Sequence, residues 1–104
     1  MVLCDVNIYV YAFRTDTDRN TSAFEWLQDT INSPSDFGYC DLALSGFLRI
    51  VTHPKVFRNP DTIETAFSFV EKIRTRPNAI LIQPEERHWS IFRNLCLETH
   101  LKGN

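Results

Sequence analysis

Residues 1–13, MVLCDVNIYVYAF, decide how the chain is to be read, because an acid interrupts a run that otherwise belongs in a protein interior. Val2, Leu3 and Cys4 suit an interior strand. Val6, Ile8, Tyr9, Val10, Tyr11 and Phe13 resume the apolar character after Asp5. The reading is a short strand over 2–5 followed by a helical turn or two through about residue 13. A carboxylate between two such runs loses hydration, which is costly unless the charge is paired, hydrogen-bonded or metal-bound. Two roles fit Asp5. It can cap the helix that follows, or it can hold Mg²⁺ or Mn²⁺, whose charge offsets the burial. Asn7, two residues on, either satisfies loop backbone or orients the Asp5 carboxylate and bonds a substrate.

Working outward, strands and helices alternate. Arg14–Asn20, RTDTDRN, is a polar loop rich in N-cap residues, and a helix runs from it to about Asn32 with Ala23, Trp26, Leu27 and Ile31 on one face. Ser33-Pro34-Ser35-Asp36 breaks it, and Phe37–Cys40 reads as a second strand. A helix from about Leu42 to Thr52 buries Leu44, Phe47, Leu48 and Val51 and stops at His53-Pro54. Asn59-Pro60 resembles an N-cap with proline in the first helical position, opening a helix striped by Ile63, Ala66, Phe67 and Val70. Ala79–Ile82 is a continuous apolar run, as in a strand covered on both faces. A last helix opens at Pro84-Glu85-Glu86 and buries Trp89, Phe92, Leu95 and Cys96. This order predicts an α/β fold with a mostly parallel sheet, in which ligands gather beyond the carboxyl ends of the strands. Asp5 and Asp41 both fall there.

The totals narrow the class. At 104 residues, with 43% hydrophobic and 23% charged, the chain is expected to form one globular domain at most, over 1–104. A net charge of −2 gives no global attraction to polyanions, so any nucleic-acid contact needs a local basic patch. No stretch is long and apolar enough for a membrane span, and the N-terminus lacks a secretory signal, so a cytoplasmic location is expected. Cys4, Cys40 and Cys96 have no CxxC spacing and read as reduced structural thiols; His53, His88 and His100 do not complete a zinc pattern.

Asp41 is placed to cap the helix after the second strand, and as an extra metal-site acid it ranks below Asp5. Arg14, Arg19, Arg49, Lys55 and Arg58 are spread through the first half; Arg14 and Arg49 follow the segments that start at the strand ends and are the candidate phosphate contacts. No glycine-rich phosphate loop is present. A phosphotransfer domain with Asp5 as nucleophile is a weaker alternative.

Taken in order, CDVNIYVYAFR, FLRIVTHPKVF and RHW resemble PIN-domain ribonuclease toxins, the VapC component of VapBC toxin–antitoxin pairs, over essentially the whole chain. The resemblance implies an α/β/α domain with a central parallel sheet, strand-end acids that hold Mg²⁺ or Mn²⁺, cleavage of RNA, and a cognate antitoxin that blocks it. It assigns Asp5 as the first metal ligand and catalytic acid, with Asn7 as its companion. A homodimer or a toxin–antitoxin hetero-oligomer is expected. Two departures stand out. Gly46, in Ser45-Gly46-Phe47-Leu48-Arg49, occupies a position where many relatives carry a metal-site glutamate. Relatives also continue beyond the equivalent of Asn104 into further acid-bearing elements, which implies a PIN-like domain incomplete at its C-terminus, with the first strand as an exposed sheet edge. The competing expectation is a catalytically degenerate PIN-like module that binds an antitoxin or self-associates.

Overall fold

The computed structural model describes residues 2–83, together with Arg93 and Leu97. The expected helix from Pro84 lies outside the described residues. Seven elements follow in chain order: β1 (Val2–Leu3), α1 (Val6–Phe13), α2 (Asn20–Asn32), β2 (Phe37–Tyr39), α3 (Asp41–Val51), α4 (Ile63–Arg74) and β3 (Ala79–Leu81). The three strands form one parallel sheet in the order β1-β2-β3, with Leu3 opposite Gly38 and Gly38 opposite Ile80. The α/β class and the parallel sheet are as the sequence predicts. No described helix is long and apolar enough to cross a membrane.

The central position of β2 sets the burial of the sheet. Phe37, Gly38 and Tyr39 are all buried, and Gly38 is the one residue that fits between its neighbours. A Cβ there would lie 3.0 Å from Ile82 Cγ1 and 3.5 Å from Leu3 Cδ1. The flanking strands are less covered than their apolar sequences suggest: Val2 is 44% exposed, Leu3 53% and Ile80 40%. Among the described residues β1 and β3 are edges, so one side of each ladder has no strand against it.

The aromatic centre of the core lies between α1, α3 and α4. Phe47 is completely buried, and its ring meets those of Tyr9, Phe13 and Phe69 at 6.4, 5.3 and 5.1 Å between centroids. Leu44 and Val51 extend the buried stripe of α3 as its spacing predicts, with Leu48 half-buried. Other stripes shift. In α2 Ala23 and Leu27 are buried but Trp26 is 41% exposed; in α4 Ala66, Val70 and Ile73 carry the core, while Ile63 and Phe67 stay out.

Helix starts also depart from the sequence reading. α4 is capped by Thr62, whose hydroxyl accepts from the Thr65 amide at 3.3 Å, and not by Asn59 with Pro60 in the first turn. Residues 59–61 are held otherwise: the Asp61 amide donates to the Val51 carbonyl at 2.9 Å, and the Asn59 carbonyl accepts from Arg14 at 2.7 Å. α2 has Arg19 at its N-cap with no side-chain cap bond. Asn20 instead turns back, donating to the Tyr11 and Ala12 carbonyls at 2.9 and 3.1 Å and satisfying the end of α1.

Candidate active site at the strand ends

β1 stops after Leu3 because the backbone at Asp5 is already that of a helix cap. Asp5 Oδ1 accepts from the Ile8 amide at 3.0 Å, which satisfies one orphan donor of α1. The carboxylate is exposed. That corrects the expectation of a desolvated charge: water and the positive end of α1 hold it, and no counter-ion is required for its burial. Oδ2 makes no hydrogen bond among the described residues and is the oxygen open to a ligand. Asn7 is also exposed, in the first turn of α1.

The neighbours of Asp5 in the chain are buried. Cys4 is 3% exposed, and burial, reinforced by the Asp5 charge and opposed by the Tyr9 hydroxyl, raises its thiol pKa. Tyr9 is the residue that sequence reading missed. It is completely buried, and its hydroxyl meets no well-formed hydrogen bond among the described residues, although Cys4, Cys40 and Asp5 are near enough to add to burial in raising its pKa far above the ordinary phenol value. A tyrosine inside the apolar stretch VNIYVYAF is the available signal, since a buried phenol needs a partner.

Asp41 does not cap α3. Cys40 holds the N-cap position, without a side-chain bond, and Asp41 is the first helical residue. Its carboxylate is 70% exposed and lies 4.0 Å from Arg74 Nε. Counting on from the Leu3–Gly38 pair, Asp5 aligns with Cys40, so the two acids share one end of the sheet on adjacent strands. Beside them a cavity of about 450 Å³ is lined by Leu3, Cys40, Asp41, Leu42, Leu81, Ile82 and Gln83. Its lining is mostly apolar and excludes Asp5, so it is ill suited to a phosphate.

Gly46 lies where α3 crosses the start of α1. A Cβ at this position would lie 3.3 Å from Val6 Cγ2, so a side chain there would start against the residue next to Asp5. The chain places no carboxylate at that point. Among the described residues no group of three or more His, Cys, Asp or Glu side chains is close enough to hold a metal ion.

The two arginines are not brought to Asp5 together. Arg14, 7% exposed, is committed elsewhere: its guanidinium donates to both oxygens of Asp16, to Asp61 Oδ2 at 2.8 Å and to the Asn59 carbonyl at 2.7 Å, and it stacks 4.1 Å from the Phe57 ring centroid. It follows the far end of α1, about 12 Å of helix from Asp5. The expected phosphate contact is therefore a structural fork that fastens the α3–α4 loop to α1.

Arg14→Ala is expected to lower stability by roughly 2 kcal/mol, less than a deeply buried pair because both acids stay partly solvated. Urea denaturation measures it, and Lys should recover less than half, since one ammonium cannot replace the fork. The Arg14 hydrogen bond, foremost, holds the Asp16 carboxyl below its ordinary range. A folded-state value below the unfolded one stabilises above about pH 4 and is lost as pH falls through the folded value, so the fork persists at neutral pH.

Arg49 is exposed in the last turn of α3, and no ion pair engages it among the described residues.

No family model matches the chain. Over all 104 residues it is 35% identical to Ribonuclease VapC43 of Mycobacterium tuberculosis and to VapC ribonuclease Mb2897 of Mycobacterium bovis, spanning 71% of each. It is 30% identical over the same residues to Ribonuclease VapC25 of Mycobacterium tuberculosis, spanning 73% of it.

Proposed function

Since the chain belongs to the VapC ribonucleases, PIN-domain toxins of toxin–antitoxin pairs, we propose that it cleaves RNA phosphodiester bonds with a Mg²⁺ or Mn²⁺ ion held by Asp5. The observation that carries this is the carboxylate itself: it sits beyond the carboxyl end of a parallel strand, one oxygen fixed on the α1 cap and the other open.

The donor set fits a sparsely held ion. Mg²⁺ is commonly bound through one or two carboxylates, keeping several waters and accepting substrate phosphate oxygens. Asp5 supplies one such carboxylate, and Asp41 lies at the same sheet end with its side chain toward Arg74. The bound ion would lower the pKa of a water and offset charge on the attacked phosphate. The chain's own contribution is positional: the Ile8 amide fixes Asp5 Oδ1, which aims Oδ2, while the positive end of α1 favours an anion nearby. Asn7, exposed in the first turn of α1, would bond a phosphate or sugar oxygen in this reading. A cognate antitoxin in the cell is the partner this activity requires.

One observation favours a second reading. Gly46 brings no acid beside Asp5, as a catalytically silent module that binds an antitoxin or itself would have it. The two separate cleanly. The intact gene product, freed of any antitoxin, is incubated with single-stranded RNA and Mg²⁺ or Mn²⁺. Cleavage that stops on adding EDTA is expected; RNA left intact with both ions would reject the nuclease reading.

A further inference from the structure

In a chain of net charge −2, residues 42–60 contain no Asp or Glu and carry Arg49, Lys55 and Arg58. All three are exposed, as are His53 and Val56. None forms an ion pair among the described residues, and Asp61, the first acid after this stretch, is engaged by Arg14.

The loop that bears these cations is held in shape. The His53 amide donates to the Ile50 carbonyl at 3.2 Å, and the Val56 and Phe57 amides donate to the His53 carbonyl at 3.1 and 3.2 Å. The Lys55 amide donates to His53 Nδ1 at 3.0 Å, which leaves Nε2 to carry the proton of the neutral ring as an outward donor. Phe57 stacks against Arg14 and is half-buried, while Lys55 and Arg58, before and after it in the chain, are exposed. A loop serving only as a connection needs neither the acid-free composition nor this fixing.

We propose that the end of α3 and the loop 53–58 form an RNA-backbone surface in which Arg49, Lys55 and Arg58 contact phosphates, with His53 as an added donor. It rests on the nuclease reading for its ligand, but it is separate from the cleavage site. Arg14 joins the loop to the far end of α1, about 12 Å along the helix from Asp5. A strand cleaved at Asp5 and held at the loop lies along α1 and α3, so the surface binds nucleotides flanking the broken bond. Phosphate contacts position without reading sequence, and the preference expected is for single-stranded backbone in general.

The test measures binding of a fluorescent single-stranded RNA to the intact protein across a salt series, beside a cleavage assay. Each phosphate contact contributes about 0.7 to the slope of log K against log salt for a single strand. R49Q/K55Q/R58Q is expected to flatten the slope by about 2 and weaken binding at low salt at least tenfold. Single substitutions, each flattening it by about 0.7, guard against a triple variant that fails to fold. An unchanged slope with cleavage intact would overturn the surface and leave the nuclease reading standing. A flattened slope in a protein that cleaves nothing would support the surface and reject the nuclease. No RNA binding at all rejects both. Unchanged RNA binding with lost affinity for polyglutamate would make the patch a protein-docking surface and overturn the RNA assignment.

Discussion

Asp5→Asn is expected to reduce RNA cleavage by at least about 100-fold while moving the melting temperature by less than about 4 °C. Asparagine is as good an N-cap as aspartate, and its amide oxygen can still accept from the Ile8 amide. The stability change is then limited to the lost attraction between the charge and α1, roughly 0.5 kcal/mol for an exposed group. The chemical loss is far larger: an amide is a poor ligand for a divalent ion, and a 100-fold drop corresponds to only about 2.7 kcal/mol at the transition state. Asp5→Ala removes both functions, with a further loss of about 1 kcal/mol for the cap. If Asp5 were a cap and nothing more, Ala would destabilise while Asn cleaved RNA normally. Thermal melts and initial cleavage rates on the pair decide between the two roles.

Phe47→Ala is expected to cost about 4 kcal/mol, a large part of the stability of a domain this size. The ring is completely buried and is shared by three aromatic neighbours from α1 and α4, so no single element can close the space it leaves. With a urea dependence of ~2 kcal/mol per molar, the midpoint falls by about 2 M or the cooperative transition vanishes. Leu42→Ala makes the contrast. That leucine is 77% exposed, and its loss should change stability by less than about 0.5 kcal/mol. A small effect at Phe47 would mean that α1, α3 and α4 do not share one core.

Local pattern carried much of this architecture. The change from strand to helical character around Asp5 located the strand-to-helix junction, although β1 ends at Leu3 and not at residue 5, and the stripe of Leu44, Phe47 and Val51 specified the buried face of α3. What failed depended on distant partners. Arg14 meets Asp16 two residues on, but also groups 45 and 47 positions away, and it is the distant pair that separates this fork from a phosphate contact. The same contacts explain Asn59-Pro60, whose carbonyl is taken by Arg14 before a helix can start there. Val2 and Leu3 read as interior by composition alone, whereas the edge position that the family resemblance implied for the first strand is what the described sheet has. Tyr9 read as simple core; the isolation of its hydroxyl emerges only when Cys4, Cys40 and Asp5 come together around it.

Among the described residues strand β1 is joined to the rest of the sheet through two residue pairs, and Asp5 follows after one intervening residue. Peeling so short a seam requires far less energy than melting the domain, so the aim of the carboxylate depends on whatever lies along the outer margin of Val2 and Leu3. A molecule that zips onto that margin would steady the aim, and one that pries it loose would spoil it, giving leverage over cutting from a spot remote from the scissile bond.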